Sequence, residues 1–192
     1  MKSKDSVLLI DPTSINHLPP KILNKSESDR SKKYSDALNL AVSKKLNNNE
    51  EIINAFSGKF AVNYGLLMLG HLLSNENINV ELISGDYFST EKEFFEYLKI
   101  LANKYKVAAL TSTTPQFEQV KNINKILKEN NKYIKTILGG PHTLYYKTAP
   151  ADDNIDIIHI GHGIDKSAKI IMDILKGNDI KEKILKTDYY YD

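Results

Sequence analysis

Five short runs rich in apolar residues set the terms on which this chain can fold: Ser6 to Ile10, Val80 to Ile83, Val107 to Leu110, Tyr133 to Leu138 and Ile155 to Ile160. Runs this short, bounded by turn-formers, are strands, and those apolar throughout are strands buried on both faces, as in a parallel sheet covered by helices. The intervening stretches supply the helices. Phe60, Ala61, Tyr64, Met68 and Leu72 recur at helical spacing, and the Tyr64 and Met68 stripe is assigned to the core. Phe117, Val120, Ile123 and Leu127 form another such set after Pro115, and Ile164, Ala168, Ile171 and Leu175 a third, with a stop at Gly177. The best-signed helix has Thr90 and Glu93 as a capping box ahead of Phe94, Leu98, Leu101, Ala102 and Tyr105.

Alternation of strand and helix predicts an α/β fold, a flavodoxin-like (Rossmann-like) five-stranded parallel sheet of order 2-1-3-4-5 with helices on both faces. The chain divides into one such domain over residues 1–180 and a tail or linker over residues 181–192, which ends in Tyr189, Tyr190 and Tyr191. Within the domain, residues 21–54 form a polar insertion, partly helical over residues 34–46 and closed by Asn47, Asn48 and Asn49.

Composition removes several classes of function. Of the 192 residues 41% are apolar and 26% charged, with a formal net charge of only +2, and Arg30 is the sole arginine. Bidentate reading of phosphates or base edges is therefore poorly provided for, and nucleic acid is not an expected partner. With no cysteine, the chain has no disulfide, no thiolate metal site and no cysteine-ligated iron-sulfur cluster. The apolar run after Met1 to Asp5 is too short for a signal peptide, and no stretch reaches membrane-spanning length, so the expected location is cytoplasmic.

Ligands of open α/β sheets bind beyond the carboxyl ends of the strands. Four loops sit there by this reading: Asp11 to His17, Thr111 to Gln116, Gly139 to His142 and Gly161 to Gly163. They offer hydroxyls and bare backbone but little charge, which suits a large, mostly neutral ligand. No phosphate-cradling Walker loop occurs, and Gly161-His162-Gly163 lacks both the third glycine and the position after the first strand that a dinucleotide fingerprint requires. A phospho-accepting receiver domain needs an aspartate where this chain has Thr111 and Ser112. A pair of glycines at a strand end also serves as a tight turn, and Ser112 to Thr114 also cap the following helix. His142, His159 and His162 show no carboxylate partner, so no metal site is assigned to them.

The order Ser112-x-Thr114, Gly139-Gly140-Pro141-His142 and Gly161-His162-Gly163 resembles the cobalamin-binding domain at the N-terminus of many radical SAM enzymes. Tyr64 to Leu73 is similar to that family's first helix and Asn79 to Ile83 to its second strand, so the resemblance runs from about Ser6 to Leu175. It implies cobalamin as cofactor, with its benzimidazole tail in a slot beside the Gly-Gly strand end and its corrin ring across the strand tips. By the same resemblance, Ser112, Thr113 and Thr114 offer hydroxyls to the tail, Gly139 and Gly140 line the slot, and Gly161 and Gly163 let the fifth loop approach it. Thr13, Ser14 and His17 would border the corrin, while Gln116, Pro141, His142 and His162 complete the candidate contacts.

One departure matters. The family's Asp-x-His-x-x-Gly pattern, whose histidine ligates cobalt from below, is not met around His17, because Ile15 and Pro20 stand at the aspartate and glycine positions. No histidine axial ligand is therefore expected. Lacking cysteine, the chain is expected to be the front part of a longer enzyme or to work with a separate radical SAM protein that holds the iron-sulfur cluster and S-adenosylmethionine. The alternative is a cofactor-free docking or substrate-recognition module on the same fold.

Overall fold

Val7, Leu8, Leu9 and Ile10 are inaccessible to solvent, so β1 (Ser6–Asp11) runs through the interior of the sheet. The computed structural model describes residues 5–12, 63–88, 90–145 and 154–187. The expected insertion over residues 21–54, together with Thr13, Ser14, His17, Phe60, Ala61 and Tyr189 to Tyr191, lies outside the described residues.

The other strands are β2 (Asn79–Ser84), β3 (Val107–Thr111), β4 (Lys135–Gly139), β5 (Ile157–Ile160) and β6 (Ile184–Lys186). All pair in parallel, in the order β2-β1-β3-β4-β5-β6. The helices are α1 (Tyr64–Asn75), α2 (Glu91–Ala102), α3 (Phe117–Asn130), the short α4 (Pro141–Tyr145) and α5 (Ile164–Leu175). Side chains alternate across the strands. Leu8, Ile10, Ala108 and Leu110 join the core under α2 and α3, whereas Val7, Leu9, Val107 and Ala109 join the core under α1 and α5.

The flavodoxin-like order holds, but the sheet has six strands rather than the expected five. The additional strand, β6, falls within the stretch 181–192 read as a tail, and pairs Ile158, His159 and Ile160 with Ile184, Leu185 and Lys186. Its connection is topologically unusual. The β1–β2 and β5–β6 crossovers carry their helices, α1 and α5, on the same face yet step in opposite directions along the sheet. They therefore differ in hand, and β5–β6 is also opposite to β3–β4, which steps the same way with α3 on the other face. Parallel crossovers are right-handed in nearly all cases, so β6 must be held by local contacts strong enough to offset that preference.

The Thr90 hydroxyl accepts from the Glu93 amide at 3.2 Å, as the capping-box pattern predicts. On α1 the structure corrects the expected stripe: Tyr64 is 73% exposed, and the buried residues are Leu66, Leu69 and Leu73. This helix is apolar around most of its circumference, so spacing alone selects more than one face. The short α4 replaces part of an expected loop, with Pro141 at a first helical position where its missing N–H costs nothing. No helix among the described residues is long and apolar enough to cross a membrane.

At the pole opposite the strand tips, Asp156 ties three elements together. Its carboxylate accepts from the Thr136 amide at 2.8 Å, the Thr136 hydroxyl at 3.0 Å and the Lys128 ammonium. Burial opposes its charge, but the Lys128 and Thr136 bonds outweigh that and hold the carboxyl below its ordinary value. A depressed folded-state value stabilises the fold above the unfolded-state range near pH 4, and that contribution disappears as pH falls through the folded value. We predict that Asp156→Ala loses about 2–3 kcal/mol in urea denaturation at pH 7, and that the difference from wild type narrows in acid.

Candidate functional site

Where β3, β4 and β5 end, the face under α1 and α5 opens into a cavity of about 300 Å³. Its floor is made of Ala109 and Thr111 from β3 and Ile137 and Gly139 from β4, all but Ile137 small. Strand parity explains the choice, since residues two apart share a face. Gly65, Leu66 and Leu69 of α1 form one wall; Ile164, Ser167 and Ile171 of α5 form the other. Spacings of three and four residues put Ile164, Ser167 and Ile171 on one stripe of α5 and place Leu69 one turn from both Gly65 and Leu66 on α1.

The two glycines of the strand end do different work. A Cβ built on Gly139 meets nothing within 4 Å, so the space above this strand end stays open. Gly140 has φ +93°, and a Cβ there would lie 2.5 Å from Thr111 Oγ1 and 2.8 Å from the Ser112 amide nitrogen. Glycine at 140 is thus a backbone requirement. It lets two loops close on each other: the Ser112 amide donates to the Gly139 carbonyl at 3.2 Å, and the His142 amide donates to the Ser112 carbonyl at 2.8 Å.

Of the residues expected to contact a ligand, the structure brings Gly139, Gly140, Pro141, Gly161, His162 and Gly163 together around the cavity. The hydroxyl loop is not among its lining residues. Ser112 is fully buried with its hydroxyl donating to the Thr113 carbonyl at 2.8 Å, and the amide and hydroxyl of Thr113 both donate to Gln116 Oε1, at 3.0 and 2.7 Å. His142 stacks on Phe117 with ring centroids 4.1 Å apart, and its Nδ1 lies 3.3 Å from the Thr114 hydroxyl. Burial lowers the His142 pKa and so favours the neutral ring. Ser112, Thr113, Thr114, Gln116 and His142 therefore build the scaffold that seats α3 and α4 beside the cavity.

The second glycine pair also answers to a neighbour. A Cβ on Gly161, where φ is +118°, would approach the Thr187 carbonyl oxygen to 2.7 Å, and one on Gly163 would approach Thr187 Oγ1 to 2.7 Å. These glycines make room for the chain leaving β6. His159, 3% exposed and facing α5, sits between Ser167 Oγ at 2.6 Å from Nδ1 and Thr187 Oγ1 at 2.7 Å from Nε2. Burial, assisted by Lys166, lowers its pKa and so favours the neutral ring. Among the described residues no cluster of three histidines and carboxylates is placed to hold a metal ion.

Thr111, Ser167 and Asn63 were not singled out from the sequence. Parity with Ala109 and helical spacing with Ile164 and Ile171 were the available signals for the first two. Nearby, Asp11 ends β1 with its pKa raised to about 7, chiefly by burial and secondarily by Asp86, against a backbone hydrogen bond from Asn63. Near neutral pH the end of β1 therefore carries less negative charge than the Asp11 carboxyl suggests.

Residues 51–171, well over half of the chain, match the family described as B12 binding domain. No curated protein and no solved structure matches the chain significantly.

The two glycines of β4 and its loop make a paired prediction. Gly140→Ala loses about 1–3 kcal/mol, because φ and the Ser112 backbone both oppose a side chain. Gly139→Ala stays within about 0.5 kcal/mol of wild type. Chemical denaturation of the two variants checks the difference.

Proposed function

Because the chain belongs to the B12 binding domain family, we propose that the cavity between α1 and α5 takes the aromatic tail of cobalamin while the corrin ring lies outside, across the strand tips. The observation that carries this is the unfilled space over Gly139. A cavity of about 300 Å³ lies at the small end of ligand sites, enough for a flat base and far too little for a corrin macrocycle. Its walls of Leu66, Leu69 and Ile171 and its floor at Ile137 bury the faces of a planar ring, and Ala109 and Gly139 leave room for its thickness.

Bound cobalamin supplies a cobalt centre that accepts and releases a methyl group. This chain's own residues hold and orient the cofactor. With no cysteine among its 192 residues, it cannot ligate an iron-sulfur cluster through thiolates. We therefore assign methyl transfer or related radical SAM chemistry to an iron-sulfur domain or protein that works with this one. The lower face of cobalt carries no histidine in this reading. Support comes from the departures at Ile15 and Pro20, and from His159, whose two ring nitrogens are both engaged by hydroxyls.

The test is direct. Purified protein incubated with hydroxocobalamin and then desalted retains the corrin absorption bands, Gly139→Leu retains none while melting like wild type, and His17→Ala leaves the retained spectrum unchanged. A colourless wild-type protein would favour a docking module that does not hold the cofactor. A changed spectrum in His17→Ala would restore the axial histidine.

A further inference from the structure

We infer that Thr187, His159 and Ser167 form a hydroxyl–imidazole–hydroxyl relay that points a hydrogen-bond donor into the cavity and so selects corrinoids whose tail base carries an acceptor nitrogen. This rests on the cavity being the tail site.

The geometry is specific. Ser167 and His159 both line the cavity, in a wall otherwise largely aliphatic. A neutral imidazole has one N–H and one lone pair, so only two proton arrangements are open to the relay. In the first, Thr187 donates to Nε2, Nδ1–H donates to Ser167, and the Ser167 proton is left for the cavity. In the second, Nε2–H donates to Thr187, Ser167 donates to Nδ1, and Ser167 offers the cavity lone pairs only.

The two are not equivalent. Among the described residues His159 is the hydrogen-bond partner of both hydroxyls, so each arrangement leaves one hydroxyl proton outside the relay: that of Ser167, facing the cavity, in the first, and that of half-exposed Thr187 in the second. A ligand nitrogen that accepts the Ser167 proton therefore selects the first arrangement, which alone directs a donor inward. The relay also gives glycine at 163 a function, because a Cβ there would displace Thr187 Oγ1, which would be 2.7 Å away, and break the relay at its far end. The backbone supports the same seat: the Thr187 amide donates to the Ile160 carbonyl at 2.9 Å. A benzimidazole has a ring nitrogen to accept from Ser167, whereas a phenolic base of similar size has none.

Three corrinoids and three proteins test this: hydroxocobalamin, tailless cobinamide and a corrinoid with a phenolic lower base, each titrated by absorbance into wild type, Ser167→Ala and Thr187→Val. Wild type should prefer the benzimidazole over the phenolic base by about tenfold, the value of one hydrogen bond in a dry site. Ser167→Ala should erase that preference while leaving phenolic-base affinity unchanged, and Thr187→Val should reduce it. A preference that survives in both variants, or Ser167→Ala weakening all three corrinoids alike, would overturn the relay. Equal binding of cobinamide and cobalamin by wild type would instead overturn the tail site itself.

Discussion

Side chains in a folded interior normally fill the space between a helix pair and the sheet beneath it, leaving few voids larger than a water molecule. Above the ends of β3 and β4 this does not happen, because Gly139 projects nothing upward, Ala109 projects only a methyl group, and Gly65 thins the facing helix. The remaining features of the site follow from keeping that space open. Leu66 and Ile171 both line it, and the opening lies where open α/β sheets receive ligands.

Such an opening needs a rigid frame, and the frame is polar. On one side the Gly140 turn allows Ser112 and His142 to join backbone to backbone, while Gln116 absorbs both donors of Thr113. Across β5, the Thr143 hydroxyl lies within hydrogen-bonding distance of the carbonyls of Gly140, at 2.8 Å, and His159, at 2.9 Å. Beyond that, β6 is locked by Thr187 against His159 and the bare backbone of Gly161 and Gly163. The polar loops thus fix the strand tips to one another, and mostly apolar surfaces line the space beside them.

Much of this was legible from residues alone, for identifiable reasons. Apolar runs such as Val7 to Ile10 locate strands because both faces are buried, and Thr90 locates α2 because its hydroxyl has one obvious amide to satisfy. The pair Gly139-Gly140 marks the strand end at which the cavity opens, although only the structure separates the open glycine from the strained one. Three features escaped. The buried stripe of α1 is ambiguous in a helix where Leu67 and Tyr64 are also apolar. The strand β6 is three residues long, largely exposed, and reached by a crossover of the disfavoured hand. The hydroxyl signal was read at Ser112, whereas strand parity turns Thr111, one residue earlier, toward the cavity.

Mapping backbone amide shifts in ¹⁵N-labelled protein on addition of hydroxocobalamin tests the central claim most directly. The account predicts that the largest changes fall on Gly139, Gly65 and Ile171, the residues around the open space. Changes confined to Ser112, Thr113 and Gln116, with Gly139 and Ile171 unmoved, would contradict it.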